Sequence, residues 1–282
     1  MVGPERTALA PVLAKATSDL AAAGVDAPRA DAEWLAAHVL GVDRGRLMLI
    51  DTIRAIERRR FAGLVARRAE RIPLQHLLGT AAFRHLELAV GAGVFVPRPE
   101  TELLAGWGIA HTTPGATVVD LCSGTGAIAL SVADESPAGR VIAVERAPAA
   151  LLWLRRNAAR FPQVEVVGGD VTDPAVLPGV TDVEVVLCNP PYVPDGTAVP
   201  PEVSEHDPAE AVFGGADGLA VIRPVIKLAA ALLRPGGVVG IEHDDGHAAA
   251  VPELLRSDGR FAEVTEHDDL AGRPRYATAR RV

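Results

Sequence analysis

Cysteine is scarce in this sequence, with only Cys122 and Cys188 among 282 residues. Two cysteines cannot form the disulfide framework of a small secreted protein, so we expect reduced thiols and a cytoplasmic location. No apolar run approaches the roughly 18 residues of a membrane-spanning helix, and we expect no membrane partner. Basic residues are also few, 28 against 36 acidic ones, giving a net charge of -8. We therefore expect no direct sequence-specific nucleic-acid binding.

The N-terminal quarter has the period of amphipathic helices over residues 4–78. Pro28 suits the first turn of the second helix, in which we expect Trp34, Leu35 and Val39 to be buried. A third helix, at residues 55–71, has a basic face: Arg58, Arg59, Arg60, Arg67, Arg68 and Arg71. This face is either simply solvated or a docking surface for a partner. We predict a small all-helical domain at residues 1–79.

Residues 80–96 alternate with a period of two and contain the turn formers Gly91-Ala92-Gly93. This pattern predicts a β-hairpin linker between two domains. The next segment, residues 97–102, has two prolines and leads into a helix that Thr101 can cap. It is either a stiff linker or the rim of a site, and the candidate rim residues are Phe95, Arg98 and Glu100.

Short apolar strands alternate with helices from residue 116 onward. The predicted strands lie at residues 117–121, 141–144, 164–167, 183–188, 238–241, 261–266 and 276–281. Such alternation is typical of an α/β fold with a doubly wound, mainly parallel sheet, here of seven strands with an antiparallel final pair. We predict that this second domain covers residues 97–282. Ligands of such sheets bind beyond the carboxyl ends of the strands.

Three of these strand ends have the residues that an adenosine ligand needs. The first strand leads into the glycine turn at residues 122–126, the second ends at Glu145, and the third is followed by Asp170 and Val171. Glycines permit a tight turn and close approach of a ligand, and a carboxylate can accept hydrogen bonds from both ribose hydroxyls. Either NAD or S-adenosylmethionine would fit this pattern.

The fourth strand ends in Asn189-Pro190-Pro191-Tyr192. A polar amide, two rigid residues and an aromatic ring are suited to holding a flat, conjugated nitrogen group. A nicotinamide dehydrogenase has no use for this tetrapeptide, whereas a methyltransferase needs a methyl acceptor at this position. The tetrapeptide therefore favours S-adenosylmethionine.

The motifs together resemble those of class I S-adenosylmethionine-dependent methyltransferases, and in particular the HemK-type release-factor glutamine methyltransferases. The resemblance rests on residues 71–75, Gly79, residues 95–102, the glycine turn, the Asn-Pro-Pro-Tyr sequence and blocks at residues 214–219, 233–237 and 269–273. It covers the chain from about residue 70 to its end. This chain departs from the family pattern at Asp207-Pro208 and at Glu242-His243-Asp244.

The resemblance implies transfer of a methyl group from S-adenosylmethionine to the side-chain amide of the glutamine in the Gly-Gly-Gln loop of class 1 peptide chain release factors, with the helical domain docking the substrate. It assigns Asn189, Pro190 and Tyr192 to catalysis and, with Pro191, to substrate binding. The implied cofactor-binding residues are Cys122, Ser123, Gly124, Thr125, Gly126, Glu145, Asp170, Val171 and Asn189. The alternative is an amino methyltransferase of a nucleic-acid base.

Two further features give smaller expectations. His243 and His247 flank a glycine-containing loop, which we interpret as a solvated loop rather than a metal site because no helical register aligns them. Cys122 and Cys188 end neighbouring strands, so we expect their thiols to lie close together beside the methyl donor.

Overall fold

The structure, a computed structural model, describes residues 6–282. Residues 1–5, with which the predicted helical domain begins, lie outside this range. The chain divides into two compact units: the first comprises the residues up to Thr80 together with Pro200–His206, and the second comprises Ala81–Val199 with Asp207–Val282. No helix in the described part of the chain has the length and apolar character needed to cross a membrane.

The first unit is helical, as predicted, with helices α1 (Leu9–Ala22), α2 (Pro28–Leu40), α3 (Ala55–Ala69) and α4 (Leu74–Leu78). Pro28 occupies the first turn of α2, and Gly41 ends that helix in the left-handed conformation at φ 65°. The unit also contains a short antiparallel pair, β1 (Arg6–Ala8) with β2 (Thr52–Arg54). Three-residue strands are too short to produce a period that sequence reading can detect.

Two expectations for this unit are wrong. Trp34 is 44% exposed, and the Arg44 guanidinium lies over its ring. The second wrong expectation is that the arginines of α3 form one continuous basic face. Arg58, Arg59, Arg60 and Arg67 are exposed. Arg68, in contrast, is buried and pairs with Asp31 at 2.7 Å and with Glu202 at 2.8 Å. The carboxylates that bury it are distant in sequence, so the arginine pattern alone could not separate it from its neighbours.

The second unit begins with the hairpin strands β3 (Thr80–Phe83) and β4 (Leu86–Ala89). Their turn lies at Arg84 and His85 rather than at the predicted Gly91-Ala92-Gly93. Arg84 adopts a φ of 51°, and its side chain donates two hydrogen bonds to Glu135 at 2.6 and 2.7 Å. This ion pair holds a turn for which glycine would be the ordinary choice.

The predicted seven-stranded sheet is confirmed. Its strands, in chain order, are β5 (Thr117–Leu121), β6 (Arg140–Glu145), β7 (Val164–Gly168), β8 (Val183–Cys188), β9 (Leu233–Glu242), β10 (Phe261–Asp268) and β11 (Pro274–Arg281). Their spatial order is β10-β11-β9-β8-β5-β6-β7. The five strands β5 to β9 run parallel, and β11 pairs antiparallel with both β9 and β10. The order reverses direction at β5, which is the position where ligands bind to doubly wound sheets.

Helices cover both faces of this sheet. They are α5 (Thr101–Ala110), α6 (Ala127–Glu135), α7 (Pro148–Ala158), α10 (Ile222–Leu232) and α11 (Ala250–Ser257); α8 (Pro201–His206) belongs to the first unit and α9 (Ala209–Val212) lies in the loop after β8. Val118 packs with α5, α6 and α7 on one face, whereas its neighbour Val119 packs with α10 and α11 on the other. Burial on both faces explains why the strands read as continuous apolar runs.

Candidate active site

The glycine turn is built from its own backbone and from β6. The Ser123 N–H donates to the Val144 carbonyl at 2.9 Å, and the Gly126 N–H donates to the Ser123 carbonyl at 2.7 Å. A Cβ added to Gly126 would lie 2.7 Å from Leu154, so this glycine is required by packing. A Cβ added to Gly124 would meet no described atom within 4 Å. Gly124 therefore leaves the space into which a ligand can approach the backbone.

Glu145 holds this turn in place. Its carboxylate accepts hydrogen bonds from the Gly124 N–H at 2.9 Å and from the Ala147 N–H at 2.8 Å. Each carboxylate oxygen has a further lone pair, so the two ribose hydroxyls of an adenosine can still bind. The Ser123 hydroxyl donates to the Asp120 carbonyl, and Thr125 is buried. The side chains of Ser123 and Thr125 thus shape the turn from within.

Asp170 and Val171 follow β7, as the sequence predicts. Asp170 accepts hydrogen bonds from the backbone and hydroxyl of Thr172, each at 2.8 Å, and lies 3.3 Å from Arg146. The backbone bond from Thr172 is the largest cause that lowers the pKa of Asp170, so this carboxyl group stays ionised. Val171 is buried and places an apolar side chain next to Asp170.

Sequence reading missed Asp120, which lies within β5 and is fully buried. Its Oδ2 atom accepts a hydrogen bond from the Ala129 N–H at 3.1 Å, while Oδ1 has no hydrogen-bond partner among residues 6–282. Burial raises its pKa to about 7, although the nearby Ser123 hydroxyl and the hydrogen bond from the Ala129 N–H oppose the rise. A buried anion with an unsatisfied oxygen is suited to a cationic ligand. The available signal was an acidic residue within an otherwise apolar strand.

The Asn189–Tyr192 segment follows β8 at the same edge of the sheet. The Asn189 side-chain amide donates to the Thr101 hydroxyl at 3.0 Å. Thr101 therefore contacts the candidate site, and the expectation that its side chain caps α5 is wrong, because no side-chain capping bond forms there. Pro190 and Pro191 are buried. Added Cβ atoms on Gly214 and Gly218 would overlap the carbonyl oxygens of Pro191 and Tyr192, so these two glycines let the loop pack closely.

Tyr192 is held at both ends of its side chain. Its ring packs against the core cluster, and its hydroxyl donates to Glu242 Oε1 at 3.2 Å. Burial raises the pKa of Tyr192 well above its ordinary value, so the phenol remains protonated. Glu242, the last residue of β9, was not predicted to be a site residue. It is fully buried, and burial raises its pKa to about 7, although the neighbouring Thr101 and Tyr192 hydroxyls favour the ionised form.

The predicted rim residues have separate environments. The Arg98 guanidinium lies 4.6 Å from the centre of the Phe95 ring and donates to Asp207 at 2.8 Å. Asp207 is buried, so Arg98 neutralises a carboxylate that would otherwise be costly. Glu100 is exposed. Arg98 thus has a structural pairing in addition to any contact with a substrate.

The histidine loop is solvated only in its middle, where Asp245 and Gly246 are exposed, and the interpretation is wrong for the two histidines. His243 is fully buried and its ring nitrogens contact the Asp244 carbonyl at 2.9 Å and Glu266 at 3.0 Å. His247 is also buried, and its Nε2 lies 3.0 Å from the Asp217 carbonyl. Within residues 6–282, no group of three or more histidine, cysteine or acidic side chains is arranged to hold a metal ion.

Cys122 and Cys188 lie at the ends of neighbouring strands, as predicted. Leu121 is paired with Cys188 in the register of β5 and β8, and Cys122 follows directly. Cys188 is fully buried, and burial, reinforced by hydrogen bonding with Cys122, raises the pKa of its thiol. Cys122 adopts a φ of 62°, an uncommon conformation for a residue with a side chain.

This chain matches two known protein families and is similar in sequence to known methyltransferases. The PrmC N-terminal domain family matches residues 11–79, and the FtsJ-like methyltransferase family matches residues 101–264. The chain is 55% identical to a release factor glutamine methyltransferase of Mycolicibacterium smegmatis, over 98% of this chain and 99% of that protein. It is 41% identical to a 4-amino-L-phenylalanine/4-methylamino-L-phenylalanine methyltransferase of Streptomyces pristinaespiralis, over 92% of each chain.

Among solved structures, the T. thermophilus 16S rRNA N2 G1207 methyltransferase, determined with AdoMet and guanosine, shares the fold. Its TM-score is 0.52 and its identity 24%, over 72% of this chain and 50% of that one. The extent and identity of the match to the M. smegmatis protein settle the family. The chain belongs to the release factor glutamine methyltransferase family.

Proposed function

We propose that this protein transfers the methyl group of S-adenosylmethionine to the side-chain amide nitrogen of the glutamine in the Gly-Gly-Gln loop of class 1 peptide chain release factors. The main support is the Asn189 amide, whose nitrogen is bound by Thr101 at 3.0 Å and whose oxygen therefore remains to accept a hydrogen bond. This acceptor follows β8, the strand beside the glycine turn of β5.

The cofactor residues proposed from the sequence fit an S-adenosylmethionine molecule. Glu145 can accept the ribose hydroxyls, Val171 and Asp170 can border the adenine, and Gly124 gives access to the backbone. Asp120, with its unsatisfied buried oxygen, can balance the positive charge of the donor. When bound, the donor supplies an electrophilic methyl group on a sulfonium centre.

The acceptor residues would act by positioning. An amide nitrogen is a poor nucleophile because its lone pair is delocalised into the carbonyl group. If the Asn189 side-chain oxygen and the Pro190 carbonyl each accept one of its hydrogens, the nitrogen is oriented with its remaining direction toward the methyl group. Pro190 and Pro191 keep the backbone rigid, and the Tyr192 ring can pack against the amide plane. No base is needed before attack, since the methylated nitrogen loses a proton readily afterwards.

We further propose that the helical domain, residues 1–79, docks the release factor. The exposed arginines of α3 and the exposed side chains of Trp34, Met48 and Leu49 support an interaction surface there. Release factors and reduced thiols both belong to the cytoplasm, where we place the enzyme.

The test is a competition among acceptor classes. The purified protein is incubated with radiolabelled S-adenosylmethionine and, separately, with a class 1 release factor, RNA, DNA or 4-amino-L-phenylalanine. We expect label only in the release factor. The small amine is a necessary arm because a relative 41% identical to this chain is named for it. Transfer only to nucleic acid or to the amine would overturn the proposal.

A further inference from the structure

The hairpin of β10 and β11 ends in an exposed turn at residues 269–273, the hairpin tip, which takes no part in the proposed methyl transfer. Leu270 at this tip is 95% exposed, the highest value among the large apolar side chains of the described chain. A single exposed leucine is common on protein surfaces. The position and the rigidity of the tip therefore decide whether Leu270 has a role.

The hairpin tip lies at the same edge of the sheet as the acceptor segment. Strands β8 and β9 run parallel, so Asn189 and Glu242 lie at one edge. Strand β11 runs antiparallel to β9, with Tyr276 level with Glu242, and therefore begins at that edge. Strand β10 ends there too, because Asp268 pairs with Pro274. With neighbouring strands about 4.8 Å apart, the middle of the hairpin lies roughly 12 Å from β8 along the sheet.

Asp269 makes the hairpin tip rigid. Its Oδ1 atom accepts hydrogen bonds from the Ala271 N–H at 2.8 Å and from the Arg273 N–H at 3.0 Å. Its own N–H donates to the Arg273 carbonyl at 2.7 Å, and its carbonyl accepts the Gly272 N–H at 2.9 Å. These bonds present Leu270 in a fixed backbone geometry, so a partner that binds it would have little loop entropy to overcome.

Hydrogen bonds also connect the hairpin tip to the acceptor segment. Asp269 Oδ2 lies 3.2 Å from the Arg275 guanidinium, and the Arg275 carbonyl accepts the His243 N–H at 2.9 Å. The residue before His243 is Glu242, which accepts the Tyr192 hydroxyl at 3.2 Å. The tip and the Tyr192 ring are thus held to the same pair of strand ends, which fixes the spacing between them.

We propose that Leu270 is a docking contact for the release factor and inserts into an apolar depression on that protein beside its Gly-Gly-Gln loop. The inference rests on the proposed function, which supplies the identity of the partner. A protein interface of ordinary size covers about 800 Å² on each partner, equivalent to a disc of roughly 16 Å radius. Such a disc, centred on a glutamine bound at Asn189, includes the hairpin tip.

A small acceptor does not extend so far. Three extended residues, the length of Gly-Gly-Gln, span at most about 10 Å, which is less than the separation of roughly 12 Å along the sheet. Leu270 therefore contributes to the binding of a whole protein and takes no part in the chemistry at Asn189. Burial of its exposed side chain supplies affinity at a point where the surface is already rigid.

Leu270→Asp places a charge at this contact and leaves the fold intact, because the side chain is 95% exposed. We expect KM for the release factor to rise at least about tenfold, while kcat at saturating release factor and the affinity for the methyl donor stay unchanged. Leu270→Met should keep most of the affinity, since methionine is apolar and similar in volume.

Leu152→Asp is the matched control. Leu152 is a 69% exposed leucine on α7, the helix between β6 and β7, at the opposite side of the sheet. Its replacement should leave KM for the release factor at the wild-type value. Thermal unfolding of both variants checks that neither substitution disturbs the fold.

A photo-crosslinker reports the contact itself. p-Benzoylphenylalanine at position 270 should crosslink, in a mixture with purified release factor, to the domain that contains Gly-Gly-Gln, and at position 152 it should not. A wild-type KM in Leu270→Asp, or equal crosslinking from the two positions, would overturn the proposal and leave the proposed function standing. A wild-type enzyme that did not methylate the release factor would instead refute the proposed function, and this docking partner with it.

Discussion

Asp120→Asn is expected to remove most of the pH dependence of methyl-donor binding. Burial raises the pKa of Asp120 from 3.8 to about 7, a change of about 3 units, or roughly 4 kcal/mol against the ionised form. A cationic ligand stabilises the ionised form, so the donor should bind the wild type with release of a proton near neutral pH. At pH 6 only about one tenth of the free protein has an ionised Asp120, and the affinity should be about tenfold weaker than at pH 8.

Isothermal titration calorimetry measures this directly, at pH 6 to 8 and in two buffers with different ionisation enthalpies. The amino group of the donor also titrates near pH 8, so the asparagine variant serves as the reference for that contribution. We expect weaker binding and a flatter profile in Asp120→Asn. A wild-type affinity independent of pH, or an unchanged slope in the variant, would refute the assigned role of Asp120.

Four further changes test other parts of the structure. Gly218→Ala should destabilise the protein in urea unfolding by clearly more than Gly196→Ala, which has a similar φ of 79° but meets no described atom, and for which about 1 kcal/mol is expected. Equal losses would refute the close packing of Gly218 against Tyr192. Arg68→Met should cost about 3–5 kcal/mol because it removes the arginine that pairs with the buried Asp31 carboxylate, although Glu202 keeps its bonds to Arg71. The exposed Arg58→Met should cost less than about 0.5 kcal/mol.

The pKa of Glu202 predicts how the stability of the first unit depends on pH in acid. Burial alone would raise it, but hydrogen bonds from Arg71 and Arg68 outweigh burial and lower it from 4.5 to about 2. Because the folded-state pKa is depressed, this stabilisation is complete above pH 4.5 and is lost as the pH falls toward 2. In Glu202→Gln, the free energy of unfolding should depend less on pH between 4.5 and about 2 than it does in the wild type. Finally, bound cofactor should slow alkylation of Cys122, and a rate indifferent to cofactor would argue against its place beside the methyl donor.

Much of the site is predictable because strand ends converge. Glu145, Asn189 and the glycine turn each follow an apolar run, and a parallel sheet brings such residues to one edge whatever the details of the helices. The sequence signal here is local and strong, so the topology and the acceptor tetrapeptide could be recognised before any coordinates were known.

Other residues depend on partners that are distant in sequence. Thr101 has the local signature of a helix cap, yet its hydroxyl contacts Asn189, 88 residues away. The Glu242 carboxylate accepts a hydrogen bond from the Tyr192 hydroxyl, 50 residues away. Arg84 forms a turn without glycine because Glu135 and Glu102 hold it. The local sequence pattern cannot predict these contacts, because each depends on a tertiary hydrogen bond rather than on the intrinsic propensity of the residue.

The central claim, that Asn189 presents a protein glutamine amide to the methyl donor, has one direct measurement. A class 1 release factor is methylated by the wild type and by Asn189→Ala, and the product is mapped by mass spectrometry while cofactor affinity is measured in parallel. We expect one added methyl group on the glutamine side chain of the Gly-Gly-Gln loop, and near-normal cofactor binding but turnover reduced by about 100-fold or more in the variant. Methylation of another residue, or wild-type turnover in Asn189→Ala, would contradict the claim.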